Sequence, residues 1–426
     1  MKRRALLTLT LAALSSPALA KDTITIWYPW GDADGQTILD AAAEYNKAQD
    51  NVTVKAILVS GAGIQGTSQG KFLTAVASGQ APDAVLYWGQ DVLPGLANLG
   101  ALTPLNDLLS KAGLKGSSFN PTAWKAMQFG GQTYGIPEMS NVMMLYYNKD
   151  LFKAAGLDPN KPPKTIEELD AYAGQLTVRK GKDIDVLGFA PWIAQGTAAL
   201  WTGAFGGNLL NADTRKSDLT NAGTLKALQW QATYVKKYGA EDLNRFQGSL
   251  GNLTASSGND PFIAGKIAME VNGQWHAGFI KRYGPKLNYG VAPVPMPKGR
   301  TFPNSFTVGN TWMVPKGSKN PLEALKFIAW FSDATRSAAV ADKVFNISPV
   351  RSGPALQKTA GEPVMKLAAE LLSKGRTYTL PPLVDLLAVN NELSSAFQTV
   401  QLGKADARTA LDTAQKNLVK AAAQGR

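Results

Sequence analysis

Apolar and polar positions alternate along this chain in two rhythms, and the order in which they change is the first guide to its fold. Ile24-Thr-Ile26-Trp27-Tyr28 is apolar on both faces, as a strand buried in a parallel sheet should be. Pro29-Trp30-Gly31-Asp32 then supplies turn residues. From about Thr37 to Gln49 the residues Ile38, Ala42 and Tyr45 fall four and three apart, the spacing of one helix face, and Val52 to Val59 returns to a strand. A helix over Lys71 to Ser78, a stop at Gly79-Gln-Ala-Pro82 and a strand Asp83 to Tyr87 repeat the unit. This alternation predicts an α/β architecture with doubly wound sheets, which bind ligands beyond the carboxyl ends of their strands. Trp30 and Trp88 each lie just past such an end.

Later segments keep the pattern. Val142 to Tyr147 reads as a strand, and Thr165-x-x-Glu168 predicts a capping box, whose side chains supply acceptors to backbone amides that otherwise lack them. Asn320-Pro321-Leu322-Glu323 predicts a second box, with Pro at the first position of an amphipathic helix reaching Phe331. From about Glu392, Leu393, Phe397, Val400 and Leu402 precede a second polar helical run, so closing helices are expected to pack on a second lobe. With no internal repeat and no low-complexity linker, the joins between lobes are expected to be short extended crossings.

The start of the chain changes where this fold is expected to work. Lys2, Arg3 and Arg4 precede an apolar run from Ala5 to Leu14 and then Ala18-x-Ala20, the pattern of a cleavable signal peptide over residues 1–20. Arg3-Arg4 before Leu6-Leu7 also admits a twin-arginine route, although the flanking residues fit that signal poorly. The chain has no cysteine, hence no lipid-anchor thiol and no disulfide framework. No mature stretch approaches the roughly 20 apolar residues of a membrane span. A periplasmic protein, not inserted in the membrane, is expected. The 406 residues after the signal exceed what one core usually organises, so two lobes are the prior.

Formal charge is +12 for the chain, and loss of Lys2, Arg3 and Arg4 leaves 41 basic against 32 acidic residues. The cations are scattered, with runs no longer than pairs such as Lys236-Lys237 and Lys281-Arg282, so no nucleic-acid partner is expected. Catalysis is narrowed by inventory. Without cysteine, thiol nucleophiles and thiolate metal sites are excluded. His276 is the sole histidine, so zinc sites of several histidines are excluded too, and without a nucleophile elbow beside it this residue reads as a packed or surface histidine. No glycine-rich phosphate loop occurs. No cofactor, no metal and no catalytic residue are expected. A glycosidase needs only two carboxylates, and of the acids here Glu138 is the one best placed for a cleft.

What the chain does carry is ten tryptophans, several beside Gly, Asn and Gln: Trp30-Gly, Tyr87-Trp88-Gly-Gln90, Pro191-Trp192, Trp201-Thr-Gly, Asn272-Gly-Gln-Trp275 and Asn310-Thr-Trp312. A sugar ring offers a C–H face that packs on indole and a hydroxyl rim that wants amide, carboxylate or guanidinium partners. That pairing points to carbohydrate in a partly pre-formed cleft. Trp27, Trp330, Trp124 and Trp230 are assigned to the core.

The chain resembles the family 1 extracellular solute-binding proteins, the maltose-binding-protein-like receptors of ATP-binding-cassette importers. The resemblance is carried by Lys71-Phe-Leu-Thr-Ala-Val-Ala-Ser-Gly-Gln-Ala-Pro-Asp83, Tyr134-Gly-Ile-Pro137 and Leu145-Tyr-Tyr-Asn-Lys-Asp-Leu-Phe-Lys-Ala-Ala-Gly-Leu-Asp158. Pro163-Lys-Thr-Ile-Glu-Glu-Leu169, Phe262-Ile-Ala-Gly-Lys-Ile-Ala-Met-Glu-Val-Asn-Gly-Gln-Trp275 and Ser348-Pro-Val-Arg351 follow in the family's order. The resemblance implies two α/β lobes joined by three crossings, placed near Ile136 to Asn141, Gly290 to Pro295 and Ser332 to Arg336. Lobe one is then residues 22–137 plus 292–333, and lobe two 138–291 plus 334–426. It further implies that Trp30, Trp88, Glu138, Trp192, Trp201 and Trp275 face the cleft, with Gln90 and Asn310 as hydrogen-bonding residues in cleft-facing loops. Arg351 is expected as a bidentate donor at the start of a lobe-two segment. At Glu138 the members of the family vary.

The function so implied is capture of a sugar, a di- or oligosaccharide, between closing lobes for delivery to the membrane permease subunits of an importer, by a monomeric receptor that is not an enzyme. An acidic or phosphorylated ligand, such as a uronate or a glycerol phosphate ester, is the alternative that Arg351 with a cleft lysine would favour. A secreted glycoside-active enzyme would need two facing carboxylates, and a surface adhesin would have no enclosed pocket.

Overall fold

The first strand, Asp22–Tyr28, pairs in parallel with Val52–Leu58 along its whole length and with Ala84–Tyr87 on its other side. These are the strands predicted from the two apolar runs and from Asp83 to Tyr87, each offset by a residue or so. The fold is given by a computed structural model that describes residues 22–31, 33–60, 67–211, 213–214, 216–250, 260–300 and 305–423. The expected signal sequence, residues 1–20, lies outside the described residues.

The sheet continues from Ala84–Tyr87 through Thr307–Met313 to the 14-residue strand Gly135–Asn148 and then Tyr289–Ala292, with Met269–Gly273 also paired to the long strand. It is mixed and not closed: the first three strands are parallel, and Thr307–Met313 runs antiparallel to both its neighbours. The pattern Val142 to Tyr147 therefore marks only the second half of a strand. Its first half, Gly135–Asn141, pairs with Thr307–Met313, and its second half pairs with Met269–Gly273 and Tyr289–Ala292. The long strand belongs to both lobes and carries the first crossing within it.

Side chains alternate along the second half of this strand between two cores, as a period of two requires. Val142, Met144 and Tyr146 join Phe262, Ile280 and Leu371, whereas Met143, Leu145 and Tyr147 join a larger core with Trp201, Leu228 and Phe397. The first lobe has its own core of Ile24, Ile26, Leu86, Ile136 and Trp312 beneath the helix Pro321–Phe331. Trp312, grouped by sequence with the loop-like tryptophans, is fully buried in the strand Thr307–Met313. The closing helices Leu386–Gln401 and Ala407–Ala423 pack on Ala222–Tyr238 as expected, and Gln231 Nε2 donates to the Phe397 carbonyl at 2.7 Å.

One local expectation is corrected. Thr165 and Glu168 do close a capping box on the helix Ile166–Leu176. Asn320 makes no such side-chain contact, however; its backbone N–H donates to Asp83 Oδ1 at 2.9 Å, and Glu323 pairs with Lys326 instead. Asp83 Oδ2 also accepts from Thr25 N, so this carboxylate ties the helix start to the first strand. Packing on the first-lobe core also continues past Ser332 to Arg336, where the third crossing is expected. The helix Ala334–Lys343 sends Val340 and Ala341 into the first-lobe core, Val344 follows them, Phe345 packs against the second-lobe core and Ile347 lies within it, and Val350 returns to the first.

Candidate functional site

The carboxyl ends of the parallel strands and a bulge opposite them converge on one level of the sheet. Trp27 stands opposite Val85, so Trp30 and Trp88, each three residues on, leave neighbouring strands at the same height. Thr311 faces Tyr87 on the other side, and one more step brings Asn310 level with Trp88. Between Asn310 and Thr311 the pairing to the long strand slips: Asn310 faces Met139 and Thr311 faces Pro137. Glu138 is the extra residue. A bulge re-aims the side chain it inserts, and here the Glu138 carboxylate accepts a hydrogen bond from Asn310 Nδ2 at 3.1 Å.

Glu138 and Asn310 are both buried, and Gln90 lies over the neighbouring backbone. A Cβ on Gly309 would come within 2.7 Å of Gln90 Oε1, so the glycine makes room for that amide. Asn310 thus sits in a strand and Gln90 in a short 3-10 turn, not in the loops expected of them. Trp30 is half-buried against the first-lobe core, and Trp88 is 42% exposed.

From this group a line of buried amides runs to the second lobe. Asn141 Nδ2 donates to Asn310 Oδ1 at 3.4 Å, and Gln274 Nε2 donates to the Ser140 carbonyl and to Asn346 Oδ1 at 2.9 and 2.8 Å. Gln274 Oε1 accepts from Val142 N at 2.8 Å. Asn141, Gln274 and Asn346 were not among the expected residues, yet they tie both halves of the long strand to the turn that carries Trp275. An amide inside the Asn272-Gly-Gln-Trp275 run was the available signal. Trp275 is half-buried, and its ring covers Gly273 so closely that a Cβ there would lie 1.9 Å from Cζ3.

Trp192 borders the same strand. Its loop follows Met269–Gly273, with Ala194 bridged to Val271 and Gln195 N donating to the Val271 carbonyl at 2.9 Å. The loop holds Ala194 at a φ of +54°, a left-handed conformation that non-glycine residues adopt at a cost of about 1–3 kcal/mol and that clusters at functional sites. Trp192 itself is half-buried against Tyr234.

Two expected residues lie elsewhere. Trp201 is fully buried, its ring edge-on to Trp230 and Phe189, and its Nε1 donates to the Pro191 carbonyl at 2.6 Å. It supports the Trp192 loop from beneath and presents no face of its own. Arg351 is exposed and held by lobe-one residues, its backbone N donating to Ser118 O and its Nε to Phe119 O. Together with Trp124 and Lys125 it lines a separate cavity of about 440 Å³, where Trp124 stacks on Phe119. Arg351 thus leans from its segment onto lobe-one residues and away from the Glu138–Asn310 group, and Trp124 is not wholly interior.

Burial pushes the Glu138 carboxyl up to about 8, with the charge of Asp34 adding to the rise and the Asn310 hydrogen bond opposing it. In the unfolded chain the group titrates near 4.5, so between that pH and 8 the folded chain keeps a proton that the unfolded chain has lost. Stability from this residue is complete below the lower value and falls as pH rises to the upper one. Glu138→Gln has no proton to lose. Its unfolding free energy relative to the parent protein should rise between pH 5 and 8 by up to roughly 4 kcal/mol. Urea unfolding of both proteins at the two pH values checks this; a constant difference would contradict it.

A family model described as bacterial extracellular solute-binding protein matches residues 29–335. The solved structure of CpMnBP1 with mannobiose bound is 45% identical, the match covering 94% of this chain and 100% of that one at a TM-score of 0.88. CpMnBP1 with mannotriose bound gives 43%, 93%, 100% and 0.86. The maltodextrin-binding protein MdxE of Bacillus subtilis is 28% identical over 73% of this chain and 70% of its own length. The sn-glycerol-3-phosphate-binding periplasmic protein UgpB of Brucella melitensis is 27% identical over 96% of each.

Proposed function

The chain belongs to the bacterial extracellular solute-binding protein family, and from that premise we propose that it captures a short mannose oligosaccharide between its lobes and delivers it to the permease of an ATP-binding-cassette importer. The observation that carries the reading is the convergence of Trp30 and Trp88 with the Glu138–Asn310 pair on one level of the sheet, in a chain 45% identical to a protein that holds mannobiose. The indoles supply apolar platforms, and the buried amides and carboxyl receive hydroxyls. Trp275 and Trp192, on turns bordering one second-lobe strand, supply the opposing side. A ligand touching both lobes favours the closed state by the contacts it makes only there.

The binding residues of this reading are Trp30, Trp88, Gln90, Glu138, Trp192, Trp275 and Asn310, with Asn141 and Gln274 as positioning residues. Trp201 and Arg351 are left out of it. Lobe one becomes residues 22–137 plus 292–344, and lobe two residues 138–291 plus 345–423, since Val340, Ala341 and Val344 pack in the first core. Among the described residues no helix is long and apolar enough to cross a membrane, and the reading places the mature protein in the periplasm as a monomer, exported by its first 20 residues.

The relation to UgpB raises an anionic ligand as the second reading. The charged group acting on Glu138 is Asp34, another acid, so a phosphate or uronate at this level would meet repulsion. Thermal-shift measurement against mannobiose, mannotriose, maltotriose and glycerol 3-phosphate separates these ligands, because one that binds only the folded form raises the unfolding temperature. The largest shift is expected with the mannose oligosaccharides. A shift with glycerol 3-phosphate alone would replace the neutral-sugar reading, and release of mannose from mannobiose on prolonged incubation would overturn the non-catalytic one.

A further inference from the structure

Asp260, Glu270 and His276 meet in the second lobe behind the Trp275 turn, and all three are buried to within 1% of full coverage. Asp260 Oδ1 accepts from the backbone N–H groups of Phe262 and Ile263, at 2.8 and 3.0 Å, while its Oδ2 has no hydrogen-bond partner among the described residues. Glu270 Oε1 accepts from Asn272 Nδ2 at 2.9 Å. Neither ring nitrogen of His276 makes a hydrogen bond among the described residues. Its Nε2 is nevertheless 3.2 Å from Glu270 Oε1, close enough for one but not directed as one. One donor atom from each residue lies within 4.8 Å of the other two.

Buried polar atoms without partners are rare because each forfeits its hydration. Here unpartnered atoms on two side chains belong to one buried cluster, and a third side chain stands beside the imidazole without hydrogen bonding to it. A lone-pair nitrogen and a carboxylate oxygen at this separation can share one cation. Zinc bound tetrahedrally by N and O at about 2.0–2.2 Å sets its ligands roughly 3.3 Å apart, close to the 3.2 Å found between His276 and Glu270.

We propose that Asp260, Glu270 and His276 bind one divalent transition-metal ion of the zinc class. Two acidic side chains and an imidazole are buried together here. A doubly charged cation balances two carboxylates and leaves the centre neutral, and neutral imidazole is the form that ligates. Asn272 and the amides of Phe262 and Ile263 orient the carboxylates from outside, and the Tyr146 ring, edge-on to His276 at 5.0 Å, keeps the surroundings apolar. Inventory by residue type missed this set because it excluded only sites built of cysteines or of several histidines. The ion would pin Asp260, the strand Met269–Gly273 and the helix His276–Tyr283 to one point.

The test unfolds the full mature chain in chelator, refolds it with Zn²⁺, Co²⁺, Ca²⁺ or no metal, and measures retained metal by mass spectrometry after gel filtration, together with unfolding temperature. One zinc per chain, a higher unfolding temperature than the metal-free protein, and a visible ligand-field band with Co²⁺ are expected. Glu270→Gln and Asp260→Asn keep shape but remove charge and should each weaken zinc at least about 10-fold. Equal zinc retention by parent and variants overturns the assignment. So does a parent protein that refolds and retains no zinc, which requires no variant to fold. Mannobiose binding is measured in parallel on the parent chain, so failure here leaves the ligand reading standing, and the converse.

Discussion

Trp275→Ala is expected to weaken mannobiose binding by about 30-fold or more while leaving the protein folded. An indole carries roughly 150–250 Å² of surface. A sugar stacked on one face removes on the order of 80 Å² from water on each partner, up to about 4 kcal/mol at 25 cal/mol per Å². Desolvation of the hydroxyl rim takes back a part, and about 2 kcal/mol remains, which is the 30-fold. Stability should change less, because the ring is only half-buried. Trp275→Phe keeps a flat face and should retain most of the affinity. Isothermal calorimetry of the three proteins with mannobiose reads the result; unchanged affinity in the alanine variant would remove Trp275 from the site.

Parts of this site were legible because they follow from strand ends. Trp30 and Trp88 come directly after apolar runs whose length and turn residues mark where the strands stop, and the register places them side by side. Glu138 and Asn310 were named, but the reason they meet is a one-residue slip between two strands far apart in sequence, which periodicity cannot disclose. The first half of the long strand was hidden for a related reason. Glu138, Ser140 and Asn141 break its apolar pattern, and they are tolerated in the interior only because Asn310, Gln274 and Ile347 supply hydrogen-bond partners from elsewhere.

Other readings failed because small residues have two meanings. Glycine beside a tryptophan suggests a loop, yet near Trp201 it marks close packing: a Cβ on Gly203 would lie 1.9 Å from the Tyr378 ring, whose hydroxyl donates to the Leu200 carbonyl. Capping residues compete as well. Asn320 has the expected Pro and Glu after it, but Asp83 offers a closer carboxylate to its backbone N–H, and the box does not form. The contacts of Arg351 are hidden from local pattern because its partners, Ser118 and Phe119, lie more than 200 positions earlier in the chain.

Trp201 separates a ligand contact from a support. Its side chain is fully covered, so Trp201→Ala should lower unfolding free energy by about 3–5 kcal/mol, the cost of emptying that volume in a core that relaxes only partly. Trp201→Phe keeps much of the ring but deletes the N–H that reaches Pro191 O, leaving a buried carbonyl unpaired at about 1–3 kcal/mol. Since that carbonyl directly precedes Trp192, the phenylalanine variant should also loosen the loop and weaken mannobiose a few-fold, well short of the Trp275→Ala loss. Urea midpoints and calorimetry on the same preparations distinguish the roles. Binding lost at an unchanged midpoint would return Trp201 to the cleft; a lowered midpoint with binding largely kept places its work beneath the Trp192 loop.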